Sequence, residues 1–213
     1  MNLHLLRHGK TTYNRDSLGL GRMDVGLTRL GEAQSLAAAR RLAREPITRV
    51  FSSPLRRARF MADEIAAARG IEVEIRDELI EMDVGHTEGL TYAAMHERHA
   101  DFMRAWTRPG FETVRMPGGE SLAGVAERLR PFAADLRALD EPAVAVVSHN
   151  FITKLLICEL LGLQPAAFRA VAVDVASMCT FVLRNGRVSV AALNDSCHLD
   201  SLNVNEETGS LST

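Results

Sequence analysis

Lysine is nearly missing from this chain. Lysines and arginines together number 25, yet only Lys10 and Lys154 are lysines, and the net charge is −2. Such a chain lacks the positive excess with which a dedicated nucleic-acid binder neutralises phosphates. Cysteine is scarce as well. Cys158, Cys179 and Cys197 show no CxxC spacing, so they read as buried thiols in a reducing compartment rather than as a disulfide framework. No apolar run reaches the ~18 residues of a membrane helix, and no charged start leads into an apolar run and cleavage site. A cytoplasmic protein with neither nucleic-acid nor membrane partners is expected. No internal repeat is visible.

The 213 residues are 46% hydrophobic and 24% charged, an ordinary globular composition for one large domain or a domain with an inserted cap. "LHLLR" at the start reads as a strand. Thr28 caps a helix through Arg44 with apolar residues at helical spacing. "ITRVFSS" is a second strand, followed by Pro54 at the opening of a helix that runs to Gly70. "EVEIR" is a third. Ser121 caps a helix to about Leu139. "AVAVVSHN" is an unbroken apolar run, the pattern of a strand buried on both faces, and a helix from Phe151 to Leu161 follows. "MCTFVLR" and "RVSVAAL" flank Asn185-Gly186, a hairpin signal. Strands alternating with helices predict an α/β three-layer sandwich with a mostly parallel central sheet flanked by helices. Residues 77–120, with one helix over 91–105, are expected to form a small inserted cap. Residues 1–200 are expected to be one domain, and the polar segment 201–213 a mobile tail.

Ligands bind at the carboxyl ends of strands in such sheets, and three predicted strands end in notable residues. The first ends in Arg7-His8 and the second in Ser52-Ser53-Pro54, with Arg56, Arg57 and Arg59 just beyond. The buried strand ends in Ser148-His149-Asn150. Taken singly, a histidine at a strand end is more often structural, and "LRRAR" is a common solvated face. Together they bring two histidines and several arginines to one edge, a setting for a phosphate. His96 and His99 are three apart without an evident third ligand, so no metal site is expected.

In order along residues 3–199, "LLRHGKTTYN", "GRMDVGLTRLGEAQ", "SSPLRRA", "ELIEMDVGHTEG", "PGGESL", "VVSHN" and "LNDSCHL" resemble the motifs of the histidine phosphatase superfamily, in its phosphoglycerate mutase-like branch. The resemblance implies that His8 is a nucleophile forming a phosphohistidine. It implies that Arg7, Arg57 and His149 hold the phosphoryl oxygens, that Glu81 is the general acid, and that Asn14 lies near the phosphate. Composition alone leaves Glu78, Glu81, Asp83 and Glu88 open; the resemblance selects Glu81. A backbone carbonyl near Gly9 is the expected acceptor for the second nitrogen of His8.

The activity so implied is a metal-independent, cofactor-free phosphomonoesterase acting on a small phosphorylated metabolite. The alternatives are a cofactor-dependent phosphoglycerate mutase and a non-catalytic phosphate-binding module. A homodimer is within the range of the family. The chain departs from the motifs at Lys10, Gly26, Thr87 and Asn150. These departures fall where substrates are selected, so Lys10 and Asn150 are substrate-binding candidates, Lys10 for a second anionic group.

Overall fold

Period-two burial sets the architecture. In the computed structural model Ala143–Ser148 is buried at every residue. Val144 and Val146 pack into one apolar cluster, while Ala143, Ala145 and Val147 pack into another on the opposite face. Such a strand needs cover on both sides. Residues 1–205 and 210–212 are described, the backbone alone for 203–205 and 210–212.

The sheet comprises β1 (Asn2–Arg7), β2 (Ile47–Ser52), β3 (Val73–Ile75), β4 (Ala143–Ser148), β5 (Met178–Arg184) and β6 (Arg187–Asp195), ranked β3-β2-β4-β1-β5-β6. The first four run parallel, and β5 and β6 close the sheet as an antiparallel hairpin. Asn185 and Gly186 both take positive φ at its turn, the geometry that matches a right-handed strand twist.

The helices are α1 (Thr12–Arg15), α2 (Arg29–Leu42), α3 (Arg56–Ala67), α4 (Tyr92–Arg98), α5 (Ala100–Trp106), α6 (Leu122–Ala138) and α7 (Asn150–Leu161). Residues of α2 and α3 cover one face of the sheet, and those of α6 and α7 the other. Thr28 and Ser121 cap α2 and α6 as expected. Gly162, in the left-handed region at φ 68°, ends α7.

Three expectations need correction. Pro54 does not open α3. The Ser53 hydroxyl accepts from the Leu55 N–H at 3.3 Å, which makes a turn first. The helix then starts at Arg56, whose N–H is capped by the Asp24 carboxylate at 2.8 Å. The single helix over 91–105 is two, because His99 leaves the helical region at φ −131°, ψ 44°. Cys158 and Cys179 are buried, but Cys197 is exposed.

Residues 77–120 otherwise hold short 3-10 turns. An aromatic chain ties this segment to α7: Phe102 to Trp106, Trp106 to Phe111, Phe111 to Phe168 and Phe168 to Phe151, at 5.3, 5.9, 6.0 and 5.8 Å between ring centroids. Asn203–Asn205 and Ser210–Ser212 pair antiparallel. The rest of the expected tail within 206–213, residues 206–209 and 213, lies outside the described residues.

Candidate active site

β1 and β4 are parallel neighbours with Arg7 opposite Ser148. The chain leaves β1 for α2 on one face and leaves β4 for α7 on the other. Their carboxyl ends therefore diverge into a crevice at the switch point of the sheet, and the N-terminus of α7 adds its positive dipole end there.

His8 leaves β1 with its N–H donated to the Ser148 carbonyl at 3.0 Å. Its Nδ1 lies 2.7 Å from the Gly9 carbonyl. A carbonyl only accepts, so the ring proton sits on Nδ1 and the Nε2 lone pair is left available. The close approach of α2 needs glycine: a Cβ on Gly9 would meet the Gly31 carbonyl oxygen at 2.2 Å, because α2 starts against this loop.

The His149 ring lies 5.2 Å from that of His8, tilted by 58°. Its Nε2 is 2.7 Å from Ser53 Oγ. The Ser53 hydroxyl can donate to that nitrogen, and the tautomer that accepts it carries the His149 proton on Nδ1, facing the crevice. His149 Nδ1 and the Nε atoms of Arg7 and Arg57 are buried donors with no protein acceptor. Burial, with Arg57 and Arg7 close by, holds both histidines well below the ordinary 6.5, so both are neutral at physiological pH.

Arg57, fully buried in the first turn of α3, donates Nη1 to the Met23 carbonyl and Nη2 to the Gly21 carbonyl, each at 2.7 Å. That loop is itself pinned by Glu88, whose Oε1 accepts from the N–H groups of Gly21 and Met23 at 2.8 and 2.9 Å. Burial lowers Arg57 to about 10, still a cation at neutral pH. Arg7 donates Nη1 to the Val173 carbonyl at 2.8 Å and, more loosely, to Asn150 Oδ1 at 3.5 Å.

Among the four nearby carboxylates the structure is selective. Glu78 pairs with Arg76 at 2.7 Å, Asp83 accepts from the Gly85 N–H at 2.9 Å, and Glu88 holds the Gly21 loop. Glu81 is buried beside the arginines. Its Oε1 accepts from the Met82 N–H at 2.8 Å and its Oε2 from the Phe151 N–H at 3.4 Å. Burial raises its pKa, against the opposing pull of the Met82 N–H and of Arg57 and Arg7. The crevice thus holds a neutral imidazole with a free lone pair, rigid cations and a carboxyl that keeps its proton above the usual range. These are the parts needed to hold an oxyanion and to attack, and protonate a leaving group on, an electrophile bound there.

The remaining candidates lie around this centre. Asn14 Oδ1 accepts from the Thr11 N–H at 3.0 Å and hydroxyl at 2.9 Å, closing the cap of α1. Lys10 donates its N–H to Gln34 at 2.9 Å and accepts the Thr28 N–H at 2.8 Å through its carbonyl. Thr87 is buried and donates to the Val84 carbonyl at 2.7 Å. Among the described residues, no group of three or more His, Cys, Asp and Glu side chains is gathered as a metal ligand set. None of their helices is long and apolar enough to cross a membrane.

The family model described as histidine phosphatase superfamily (branch 1) matches residues 3–196. The chain belongs to the histidine phosphatase superfamily. It is 32% identical over 200 residues to phosphoserine phosphatase 1 of Hydrogenobacter thermophilus, covering 93% of this chain and 94% of that protein. Among solved structures, the mycobacterial glucosyl-3-phosphoglycerate phosphatase complexed with VO3 superposes with a TM-score of 0.82 at 32% identity, covering 92% of this chain and 99% of that one. The alpha-ribazole phosphatase of Shigella flexneri gives 0.84 at 26%, covering 92% and 96%. The motif order across residues 3–196 is thus that of a histidine phosphatase, and the mostly parallel sheet flanked by helices is its fold.

Sequence reading passed over Ser53 as the partner of His149, although "SSP" stood in view. It also passed over Glu88 as the anchor of the loop that grips Arg57. Neither carries a local signal, because both act through residues about 70 to 100 positions away.

Proposed function

We propose that this histidine phosphatase hydrolyses phosphate monoesters of small metabolites without a metal, through a phosphohistidine on His8. The carrying observation is the 2.7 Å contact from His8 Nδ1 to the Gly9 carbonyl, which leaves Nε2 as the nucleophile. In the first step Nε2 attacks phosphorus, the ester P–O bond breaks, and the leaving oxygen takes the Glu81 proton. In the second, the Glu81 carboxylate removes a proton from water, whose oxygen displaces His8 and releases orthophosphate. Arg7, Arg57 and His149 donate to the phosphoryl oxygens throughout. Asn14, Lys10 and Asn150 flank the bound substrate. Phosphatase names among the relatives support water as the acceptor.

The mutase alternative shares the first step but must keep water out. Only about thirty residues separate Gly89 from Gly118; we read residues 77–120 as a small cap, which favours hydrolysis. The reading includes a cytoplasmic location, in keeping with three unpaired thiols. It also includes a homodimer, in keeping with exposed Val182, Val190 and Leu193 on the edge hairpin.

The test is rapid acid or alkaline quench with 32P-labelled substrate in the presence of chelator. The wild type is expected to yield an acid-labile, alkali-stable phosphoenzyme. His8→Ala is expected to lose turnover by several orders of magnitude while keeping its melting temperature. Comparable turnover by the variant would reject His8, and loss of wild-type activity on chelation would reject the metal-free route.

A further inference from the structure

The second of the two lysines stands at the same crevice. α7 begins with Asn150 beside Arg7 and with Phe151, whose N–H faces Glu81. Lys154 lies four residues after Asn150 and three after Phe151, hence on the same helix face. Phe151 stacks on Phe168 at 5.8 Å and 20°, and Lys154 Nζ sits 5.4 Å from the centre of that same Phe168 ring. The lysine is half-buried and makes no ion pair among the described residues. Other cations nearby are already engaged. Arg57 grips two carbonyls, and Arg22 bonds the Glu81 carbonyl and pairs with Glu120. Arg169 lies over Phe111 and donates to the Trp106 carbonyl.

Direction follows from the chemistry. Glu81 must reach the ester oxygen, so its side of the crevice is the side of the organic group, and Lys154 adjoins Glu81 through Phe151. Burial lowers the Lys154 ammonium, with Arg7 pressing the same way and Asp174 and Glu81 opposing. Those couplings put it within electrostatic reach of both the phosphate and the acid. Asp174 acts on it only at a distance and closes no ion pair with it; that carboxylate accepts from Asn194 Nδ2 at 2.8 Å. A cation held over an aromatic ring and partly dried gains most from an incoming anion.

We propose that Lys154 binds a second anionic group, a carboxylate or phosphate, on the organic part of the substrate, with Phe151 and Phe168 as the wall beside it. The substrate class is then an anionic metabolite phosphate rather than the phosphate of a neutral alcohol. This inference rests on the phosphatase reading and names its substrate class.

The experiment uses two matched pairs. 3-Phosphoglycerate is compared with glycerol 3-phosphate, which separates a carboxylate, and propanediol bisphosphate with propanediol monophosphate, which separates a phosphate. Wild-type kcat/KM is expected to favour the anionic member of at least one pair. Lys154→Met is expected to cut that preference about fivefold, chiefly through KM, and Lys154→Arg to retain most of it. Calorimetric binding of the same ligands to His8→Ala, with and without Lys154→Met, repeats the comparison without turnover. Binding therefore decides the role of Lys154 even where these four compounds are not hydrolysed, and the phosphoenzyme quench separately decides the phosphatase reading. Equal loss on both members of each pair, or no loss, would overturn it.

Discussion

A single carboxyl shows how position rather than residue type makes a functional group. Glu81 differs from Glu78 and Glu88 only in what surrounds it: they and Asp83 face an arginine or backbone N–H groups in more open places, and it is buried. Its raised pKa means that the fold prefers the protonated form. The unfolded chain releases that proton near the ordinary 4.5 while the folded chain retains it. Stability from this group is therefore full below 4.5 and falls as pH rises through the folded value. Glu81→Gln keeps the shape and removes the titration. The variant is expected to melt higher than the wild type at pH 7, the gap closing toward pH 4. Its turnover on alkyl phosphates is expected to fall by about 10²–10⁴, and far less on p-nitrophenyl phosphate, whose leaving group needs little protonation. Equal losses on both substrates would show that another acid serves.

At the scale of elements, the parallel strands were legible because β4 is apolar from Ala143 to Val147 and β1 carries Leu3, Leu5 and Leu6, and the antiparallel hairpin because Asn185-Gly186 announces its own turn. The four-residue α1 was not, since it is too short for any periodicity and is held by the reciprocal bonds of Thr11 and Asn14. The break at His99 has no glycine or proline to mark it. The histidines and arginines of the site were visible as strand ends. The carbonyl cradle under Arg57 was not, because backbone acceptors leave no trace in residue type. The start of α2 shows one such hidden dependence. Replacing a helix glycine with alanine ordinarily gains up to about 1 kcal/mol. At Gly31 the added Cβ would sit 2.1 Å from the Lys10 carbonyl oxygen and 2.8 Å from the Lys10 nitrogen. Neither is a flexible side-chain end, so the strain of roughly 1–3 kcal/mol wins. Gly31→Ala is expected to lower the denaturation midpoint and, by pushing α2 off the Lys10 loop, to reduce kcat as well. A variant as stable and active as the wild type would show that the helix can back away freely.

For the whole molecule three buried histidines and the half-buried His198 set the response to acid. His4, His8, His149 and His198 are each held below the ordinary 6.5, with burial the first cause at all four. Below pH 6.5 the unfolded chain takes up protons that the native chain refuses. The stability these groups support is thus present above 6.5 and lost as pH falls toward their folded values, each contributing up to about 1.4 kcal/mol per pH unit in that window. Glu81 runs the other way, but as one group against four it does not reverse the sign. Urea midpoints are therefore expected to be lower at pH 5 than at pH 7, and His149→Asn is expected to narrow the difference. Catalysis leans oppositely, since transfer to His8 needs a protonated Glu81 and weakens as pH rises through its raised value. The pH of fastest phosphoryl transfer, read from pre-steady-state bursts, is then expected to lie on the acid side of the pH of greatest stability. Coincident maxima would mean that proton donation by Glu81 does not limit the first step. A midpoint at pH 5 equal to that at pH 7 would mean that the histidines take up protons without unfolding the site.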